Sequence, residues 1–274
     1  MKQLRYIDLL FIVMLWSAIS FGLAADVRCQ EPAASPVPAP QPTREGLSEA
    51  DPTRPVLWTF RNEYRDLKNG DWADVLLLRH DRFFFRNLKI KGGGKGFVTR
   101  FDVPISIVNR GTTTKAGLGD IYTQALFIPR ISRKFVFSVG SGLTLPTATD
   151  DLLGQGKVII APVAAPLWYM AKRRRLFTLR VQQFVSVAGR SSRPDVNYTI
   201  VDPFVGWSLG RRSWVFANTE LKWDWRSKRG SGITGVQVGK MISEHYGISF
   251  KPEIPWGPGR LGGFNIKVVV LRFR

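Results

Sequence analysis

Charged and polar side chains that recur at every second position are the residues of this sequence best placed to do chemistry. In one run, Glu220, Lys222 and Asp224 alternate with the apolar residues Leu221 and Trp223. Residues two apart on an extended strand point to the same face, so these opposite charges are expected to lie side by side. A face of this kind sets a local electric field, and it sorts solutes by charge and size without making or breaking a bond.

Other runs carry the same alternation, and together they predict the lining of one polar interior. The predicted lining residues are Arg100, Asp102, Asp120, Tyr122, Gln124, Arg180, Gln182, Asn218, Glu220, Lys222, Asp224, Lys251 and Glu253. In the run AGLGDIYTQALFIP, residues 116–129, Asp120 follows a Gly-x-Gly turn that could also suggest a phosphate or metal site. The alternation with Ile121, Ala125 and Phe127 instead favours a carboxylate that lines the interior or fixes a hairpin.

Patterns typical of catalysis or metal binding are sparse. The chain has two histidines, His80 and His245, and one cysteine, Cys29, which leaves little material for a histidine metal site, a Ser-His pair or a disulfide. The glycine-rich run IKGGGKGFVTR, residues 90–100, lacks the spacing of a phosphate-binding loop. The two aspartates at 150–151 form an isolated acidic pair, which is usually solvated. The sequence therefore predicts no enzyme, no cofactor and no metal.

The first 55 residues differ in character from the rest. A short basic start precedes an apolar run over residues 7–23, and small residues follow it, so residues 1–25 are predicted to be a signal peptide, with an uncleaved membrane anchor as the alternative. Residues 26–55 are rich in proline and alanine without periodicity, which predicts a disordered linker. We therefore expect the protein to be exported in a cell with a Gram-negative-type envelope, and residues 56–274 to be the folded region.

Residues 56–274 show alternation of period two in runs of roughly ten to fourteen residues. Strands of soluble sandwiches average about five or six residues, whereas strands that cross a bilayer have about the length seen here. The predicted fold is all-β, a closed antiparallel transmembrane β-barrel of about 12 strands. The candidate strands are 56–67, 71–79, 96–108, 117–131, 134–146, 157–171, 174–189, 196–209, 212–226, 231–243, 246–256 and 262–273.

Connections between the candidate strands alternate in length, as in barrels with long outer loops and short periplasmic turns. The longer set is IVNRGTTTKAG, PTATDDLLGQGK, GRSSRPDVN, RSKRGSG and GPGRLGG, and residues 80–95 are predicted to form an irregular turn. Aromatic residues near the predicted strand ends suggest two interfacial girdles. The girdle candidates are Trp58, Trp168, Tyr169, Trp207, Trp214, Trp223, Trp225 and Trp256.

The formal net charge is +19, from 40 lysines and arginines against 21 aspartates and glutamates. Such a balance indicates an anionic partner, and charge alone does not choose among nucleic acid, lipid surface and acidic solutes. Within an exported barrel, it predicts a preference for anions in the lumen or contacts between the rims and lipid phosphates.

Four runs resemble one known family: TRFDVPISIV at 99–108, GLGDIYTQALFIP at 117–129, SVGSGLTLPTATD at 138–150 and APVAAPLWY at 161–169. They are similar to the Arg-x-Asp-x-Pro strand, the Gly-x-Gly-Asp turn and the Gly-x-x-x-Pro-Thr strand end of the outer-membrane β-barrel family named after the MetA pathway of phenol degradation. The resemblance is most specific over residues 99–170. It implies a closed outer-membrane barrel with a transport role, hydrophobic or aromatic compounds as candidate solutes, and no catalytic residues.

The sequence thus predicts an outer-membrane, porin-like channel for the passive transport of small solutes, with aromatic and anionic compounds as candidates. Its predicted partners are outer-membrane lipids and small solutes, with no nucleic acid. Two other hypotheses stay open. One is a closed structural barrel without a pore, and the other is an outer-membrane lipid hydrolase that would need His80 or His245 as its base.

Overall fold

The structure is a computed structural model that describes residues 56–90, 93–132, 134–171, 174–210 and 212–273, without the side chains at 85–95 and 130. The predicted signal peptide and linker lie outside the described residues. The described chain forms thirteen β-strands and one short 3₁₀ turn, Lys68–Gly70. The strands are β1 Trp58–Leu67, β2 Trp72–Ile90, β3 Gly93–Arg110, β4 Thr113–Leu118, β5 Ile121–Ile131, β6 Phe135–Leu145, β7 Lys157–Met170, β8 Arg175–Gly189, β9 Asn197–Leu209, β10 Ser213–Asp224, β11 Arg229–Met241, β12 Tyr246–Trp256 and β13 Gly262–Arg272.

The strands form one antiparallel sheet that closes on itself. β1 pairs with β2 on one side and with β13 on the other, so that Trp58 lies opposite both His80 and Arg272. Twelve strands complete the ring, while β4 pairs only with the end of β3 and continues the line of β5. The predicted closed barrel of about twelve strands is confirmed. Closure leaves no sheet edge in the ring, which is the condition for β-structure to cross a bilayer.

Two predictions about the first hairpins were wrong. Residues 80–90 and 93–95 are not an irregular turn, because β2 runs on to Ile90 and pairs with β3 from Arg82 opposite Thr99 to Ile90 opposite Gly93. Three consecutive phenylalanines at 83–85 break the alternation there and hide the strand in the sequence. The run IVNRGTTTKAG is not a long loop either, because β3 and β4 fill most of it.

The two ends of the barrel differ in their connections. One end holds the connections after β1, β3, β6, β8, β10 and β12, and we call it the loop end. The other end holds the connections after β2, β5, β7, β9 and β11, and we call it the turn end. The loop end carries the long segments 146–156 and 190–196. The predicted alternation of long and short connections holds from β5 to β10, but it was wrong for RSKRGSG, because β11 begins at Arg229 and leaves a connection of residues 225–228 that is no longer than the one at 242–245. Among the described residues, no helix is long and apolar enough to cross a membrane.

Apolar side chains cover the outside of the barrel. Phe60 is 42% exposed and Phe250 is 50% exposed, and each lies on the face opposite to the charged residues of its strand. The girdle prediction was wrong for Trp214 and Tyr169, because both point inward and are buried. Trp214 is the second residue of β10, and because it lies two residues before Phe216, both side chains are on the same face of the strand.

Glycines on neighbouring strands make room for the large inward aromatic rings. A Cβ atom at Gly239 would collide with the Trp214 ring, and one at Gly206 would lie 2.7 Å from Phe216. Trp214 lies directly opposite Gly239 in the β10–β11 ladder, and Phe216 lies opposite Gly206 in the β9–β10 ladder. The rings can therefore lie flat against the wall at these rungs.

Gly140 provides a test of this close packing, because a Cβ atom there would collide with the backbone carbonyl of Ala125. We expect Gly140→Ala to destabilise the folded barrel by about 1–3 kcal/mol, since a backbone atom cannot rotate away. The measurement is the temperature at which the detergent-folded protein loses its fast mobility on an unheated gel. Gly230→Ala is the control, because its Cβ atom would meet only the Trp223 ring at 3.4 Å. Equal transition temperatures for the two variants would contradict this account.

Candidate functional site

The barrel encloses a cavity of about 740 Å³ that opens at the loop end. Its lining includes Asp66 and Leu67 at the end of β1, and Gly259, Arg260 and Leu261 between β12 and β13. Nine basic and seven acidic side chains line it: Arg61, Arg65, Arg79, Arg100, Arg180, Lys222, Lys251, Arg260, Lys267, Glu63, Asp66, Asp81, Asp202, Glu220, Asp224 and Glu253. The cavity is therefore nearly balanced in charge, although the chain is strongly basic.

Cross-strand ion pairs hold the charges on β2 and β3. Arg79 donates to both carboxylate oxygens of Asp102, at 2.8 and 2.7 Å, and Arg100 donates to Asp81 at 2.8 Å. Each pair stands directly opposite in the β2–β3 ladder. Side chains at such positions are close enough for ion pairing, so the register of the hairpin decides the pairing.

A second ion-pair network joins β13 to its two neighbours. Glu63 on β1 accepts from Arg65 at 2.8 Å and lies 3.5 Å from the Lys267 ammonium. The same ammonium lies 2.8 Å from Glu253 on β12, and Lys251 pairs with Glu253 at 2.8 Å. Both glutamates are buried, so each needs these cations to offset its lost hydration.

The opposite wall, on β8–β10, carries the third group of charges. Arg180 lies 3.0 Å from Asp202 and 3.8 Å from Glu220. Lys222 stands 4.0 Å above the ring of Tyr198, and among the described residues it forms no ion pair with a carboxylate. Since aromatic rings attract cations more weakly than carboxylates do, Lys222 is available to an incoming anion.

Between these charged walls, the cavity-lining residues of β5–β7 form a wall without charges. The Tyr122 hydroxyl accepts hydrogen bonds from Gln124 and Gln182, both at 2.9 Å. Its ring lies against Gly142, and the cavity lining nearby includes the small residues Ser138 on β6 and Ala165 on β7. A solute in the cavity would thus meet charge on most sides and a smooth neutral surface on this one.

An apolar floor closes the interior toward the turn end. Its members are Val56, Val98, Ile128, Val136, Leu167, Tyr169, Leu176, Trp214, Phe216, Met241, Val269, Leu271 and Phe273. Val98, Leu167 and Val269 also line the cavity, so the cavity rests directly on this floor. Trp214 and Phe216 are each only 1% exposed, which shows that solvent does not reach the interior at their level.

The Trp214 indole N–H is an unusual part of the floor. It is buried and has no acceptor among the described residues. A buried donor without a partner costs about 1–3 kcal/mol. Water entering the floor would satisfy this group, so the dry arrangement is less stable than its apolar packing alone would make it.

The segment between β6 and β7, residues 146–156, folds inward over part of the cavity mouth, and we call it the mouth loop. Its Leu153 packs against Ala73 on β2 and Val108 on β3. Arg193, from the connection after β8, donates to the carbonyl oxygens of Asp151 at 2.7 Å and Gly154 at 2.5 Å. The mouth loop is therefore fixed from two sides of the barrel.

Asp120 is the main side-chain anchor of the mouth loop on the barrel wall. It lies between β4 and β5, where the strand is interrupted, and its carboxylate accepts from the backbone N–H groups of Ala148 at 3.2 Å and Gln155 at 2.5 Å. Gly154 approaches so closely that a Cβ atom would lie 2.5 Å from this carboxylate. The carboxylate thus fixes a loop, and no group of three His, Cys, Asp or Glu suited to a metal occurs in the described part of the chain.

Ion pairs also order the rest of the loop end. Asp195 pairs with Lys157 at 2.9 Å and with Arg226 at 3.4 Å. The hydrogen bond from Lys157 and its positive charge hold the pKa of Asp195 below its ordinary value. Because this pKa is lowered in the folded chain, the pairing is intact near neutral pH and is lost only as the pH falls through the lowered value.

Nine of the thirteen predicted lining residues line the cavity: Arg100, Gln124, Arg180, Asn218, Glu220, Lys222, Asp224, Lys251 and Glu253. Asp102, Tyr122 and Gln182 face the same interior. Asp102 forms an ion pair with Arg79, and Gln182 donates a hydrogen bond to the Tyr122 hydroxyl. Asp120 is placed instead at the mouth.

Sequence reasoning missed the charges of β1 and β2 and one lysine of β13. The missed charged lining residues are Arg61, Glu63, Arg65, Asp66, Arg79, Asp81 and Lys267, together with Arg260 in the connection after β12. The alternation in TFRNEYRDL, residues 59–67, is a signal that could have identified the first three, because every second residue from Arg61 to Arg65 is charged.

The two histidines lie apart from the cavity lining. The His80 Nδ1 atom lies 3.0 Å from the backbone carbonyl of Leu57, and its ring lies 4.4 Å from that of Trp58. His245 is exposed in the connection after β11. Their surroundings are thus a backbone carbonyl with an aromatic ring in one case and solvent in the other.

Solved structures of bacterial outer-membrane barrels are similar to this fold. An outer membrane channel from Pseudomonas putida F1 has a TM-score of 0.66 at 12% identity, covering 80% of this chain and 96% of the other. The NanC porin has a TM-score of 0.57 at 10% identity (79% and 99% covered), and the KdgM porin in complex with disordered oligogalacturonate has 0.52 at 10% identity (79% and 98% covered).

The chain matches no protein-family model and has no significant match among curated proteins. The resemblance to the phenol-pathway family therefore stays a prediction. At 10–12% identity, the similar structures show a shared fold and leave the solute open.

The anchoring role of Asp120 can be tested with Asp120→Asn. The amide keeps one acceptor oxygen but points its own N–H group at one of the two backbone N–H donors, so the mouth loop should open more often. We expect hydrogen exchange at Ala148 and Gln155 to accelerate about tenfold or more, since a hydrogen bond to a charged group contributes about 1.5–3 kcal/mol.

Asp74→Asn is the matched control, because Asp74 bonds only the exposed Asn62 side chain among the described residues. Exchange in the mouth loop that is the same in both variants would show that Asp120 does not anchor it.

Proposed function

We propose that this protein is an outer-membrane channel that admits small solutes from the loop end. The observation that carries the proposal is a charge-lined cavity, open at one end, inside a closed barrel whose outer surface is apolar. An apolar outer band with a polar interior is typical of barrels that pass solutes through a membrane. The likeness of the fold to outer-membrane porins and channels supports the same function.

The proposal includes export and orientation. Residues 1–25 would direct export, and the turn end would face the periplasm. The contrast between long and short connections supports this orientation, since outer-membrane barrels carry their longer loops outside. The aromatic residues Trp58, Trp168 and Trp223 are outward and partly exposed near strand ends, as an interfacial girdle requires.

For the solute, the cavity favours a small molecule that combines a charged group with an apolar or aromatic part. Lys222 and Arg260 line the cavity without a carboxylate partner among the described residues, so they are available to an anionic group. The apolar floor and the neutral wall on β5–β7 would contact the uncharged part. Anionic and aromatic compounds, the two candidates from the sequence, are thus combined in one class of solute.

A closed structural barrel is the second candidate function, and the apolar floor favours it. Trp214 and Phe216 are almost completely buried, so the floor leaves no open path at their level. The channel proposal therefore requires the floor to part, as hydrophobic constrictions do when they become hydrated. The unsatisfied indole N–H of Trp214 supports a floor that opens, because hydration would relieve it.

Solute-driven swelling of liposomes that contain the purified protein tests the function. A channel lets benzoate and other small organic anions enter, so the liposomes should swell faster than protein-free liposomes. A polysaccharide too large for a cavity of about 740 Å³ should give no swelling. Equal rates with and without protein, for a protein shown to be folded by its gel mobility, would support the closed structural barrel.

The variant Trp214→Ala/Phe216→Ala tests the floor as the barrier. Removing both rings leaves a wide gap in the floor, so we expect bilayer conductance at least severalfold above that of the wild type. The outward pair Trp223→Ala/Phe250→Ala is the matched control, since it removes one indole and one phenyl ring from the exposed surface. Unchanged conductance in the floor variant, with normal gel mobility, would contradict the barrier role.

Ion selectivity provides a separate prediction, and here the structure changes the expectation from the sequence. Nine basic and seven acidic side chains line the cavity, and Asp102 pairs with one of the basic ones, Arg79. We therefore expect only a weak preference for anions. In a tenfold KCl gradient, the reversal potential should lie much closer to zero than to the value for a perfectly anion-selective pore. A reversal potential near that limit would show that the overall charge of +19 governs the lumen.

A further inference from the structure

A set of exposed basic side chains occupies the turn end, and we call it the basic rim. Its members are Lys134, Arg175, Arg212, Lys240 and Arg272. None of them takes part in an ion pair with another described residue. In the described connections and terminal strand residues of the turn end, Glu244 is the one acidic residue. The turn end therefore carries a large excess of positive charge.

The loop end, by contrast, neutralises many of its cations within the protein. Arg190 pairs with Asp151 at 2.6 Å, and Lys115 pairs with Asp150 at 3.3 Å. A backbone N–H bond from Leu152 also keeps the pKa of Asp150 below its ordinary value, so this carboxylate stays charged. The charge asymmetry between the two ends thus arises from the placement of acidic residues.

Arg272 is placed at the level of an interfacial aromatic belt. It lies directly opposite Trp58 in the β1–β13 ladder and opposite Tyr246 in the β12–β13 ladder. Trp58 and Tyr246 are exposed on the outer surface, while the adjacent Leu271 is completely buried inside the barrel. The alternation of the strand therefore directs Arg272 outward, between two aromatic rings.

Arg175 repeats this arrangement on another side of the barrel. It lies opposite Trp207 in the β8–β9 ladder, and the adjacent Leu176 is completely buried inside. Lys240 is also outward, because Gly239 and Met241 on either side of it belong to the buried inner face. The outward cations thus lie on three separate strands.

Tryptophan and tyrosine rings favour the boundary between hydrocarbon and headgroups. A cation at the same depth reaches the phosphate groups of the lipids, and an arginine binds phosphate through several N–H donors. A free phosphate ion in solution would not require flanking aromatic rings. This combination of outward cations and flanking aromatic rings accordingly fits a lipid headgroup, with its acyl chains beside the aromatic residues.

We propose that the basic rim binds the headgroups of anionic phospholipids in the leaflet at the turn end. The rim does not line the cavity, so this interaction is independent of the channel function. It would hold the barrel at a fixed depth and orientation in the bilayer. Each cation near an anionic surface contributes an affinity gain of about fivefold.

Native mass spectrometry of the detergent-folded protein tests the proposal. The probes are phosphatidylglycerol and phosphatidylcholine with identical acyl chains, so that only the headgroup charge differs. We expect the wild type to retain phosphatidylglycerol preferentially. In the variant Arg175→Gln/Lys240→Gln/Arg272→Gln, the ratio of bound phosphatidylglycerol to bound phosphatidylcholine should fall at least tenfold, with the gel mobility unchanged.

The matched control is Lys68→Gln/Arg110→Gln/Lys228→Gln, which removes three exposed cations from the loop end. It should keep the preference of the wild type. Equal losses in both triple variants would show that only net charge matters and would overturn the proposal. Equal retention of the two lipids by the wild type would overturn it as well, whereas absence of liposome swelling would affect only the channel function.

Discussion

Closure of the sheet is the constraint on which the rest of the structure depends. A backbone N–H or C=O group left unpaired in hydrocarbon costs several kcal/mol, so a membrane sheet must have no free edge. The pairing of β1 with β13 meets this condition. Closure also gives each strand an inside and an outside, and period-two alternation then separates outward apolar residues from charged interior residues.

The enclosed charges depend on one another in turn. Glu63 and Glu253 are buried, and Lys267 bridges them at 3.5 and 2.8 Å. Removing one partner of a buried pair leaves an uncompensated charge, which costs about 3–5 kcal/mol. The interior is consequently organised as nearly neutral networks above an apolar floor. This division explains how a chain with a net charge of +19 can have a cavity with weak net charge, because much of the excess lies at the turn end.

Much of the fold was predictable because it follows from period-two patterns such as that of Glu220, Lys222 and Asp224. These patterns fix the face of each residue, and the strand count follows from them. The inward position of Trp214 follows from the same alternation, since Trp214 shares a face with Glu220, but the tight packing of its ring was not predictable, because it depends on the space left by Gly239 on another strand. The role of Asp120 as the anchor of the mouth loop was also not predictable from the sequence, because its partners lie about thirty residues further along the chain.

The most direct test of the account is spin-label accessibility along β10, measured in a Cys29→Ser background with single cysteines at positions 214 to 224. Outward sites such as Val215 and Leu221 should be accessible to oxygen from the lipid. Inward sites such as Glu220 and Lys222 should be accessible to a water-soluble nickel reagent, and that access should fall to baseline at Phe216. Equal access of the nickel reagent to both faces, or undiminished access at Phe216, would contradict a membrane barrel with a polar cavity above a dry floor.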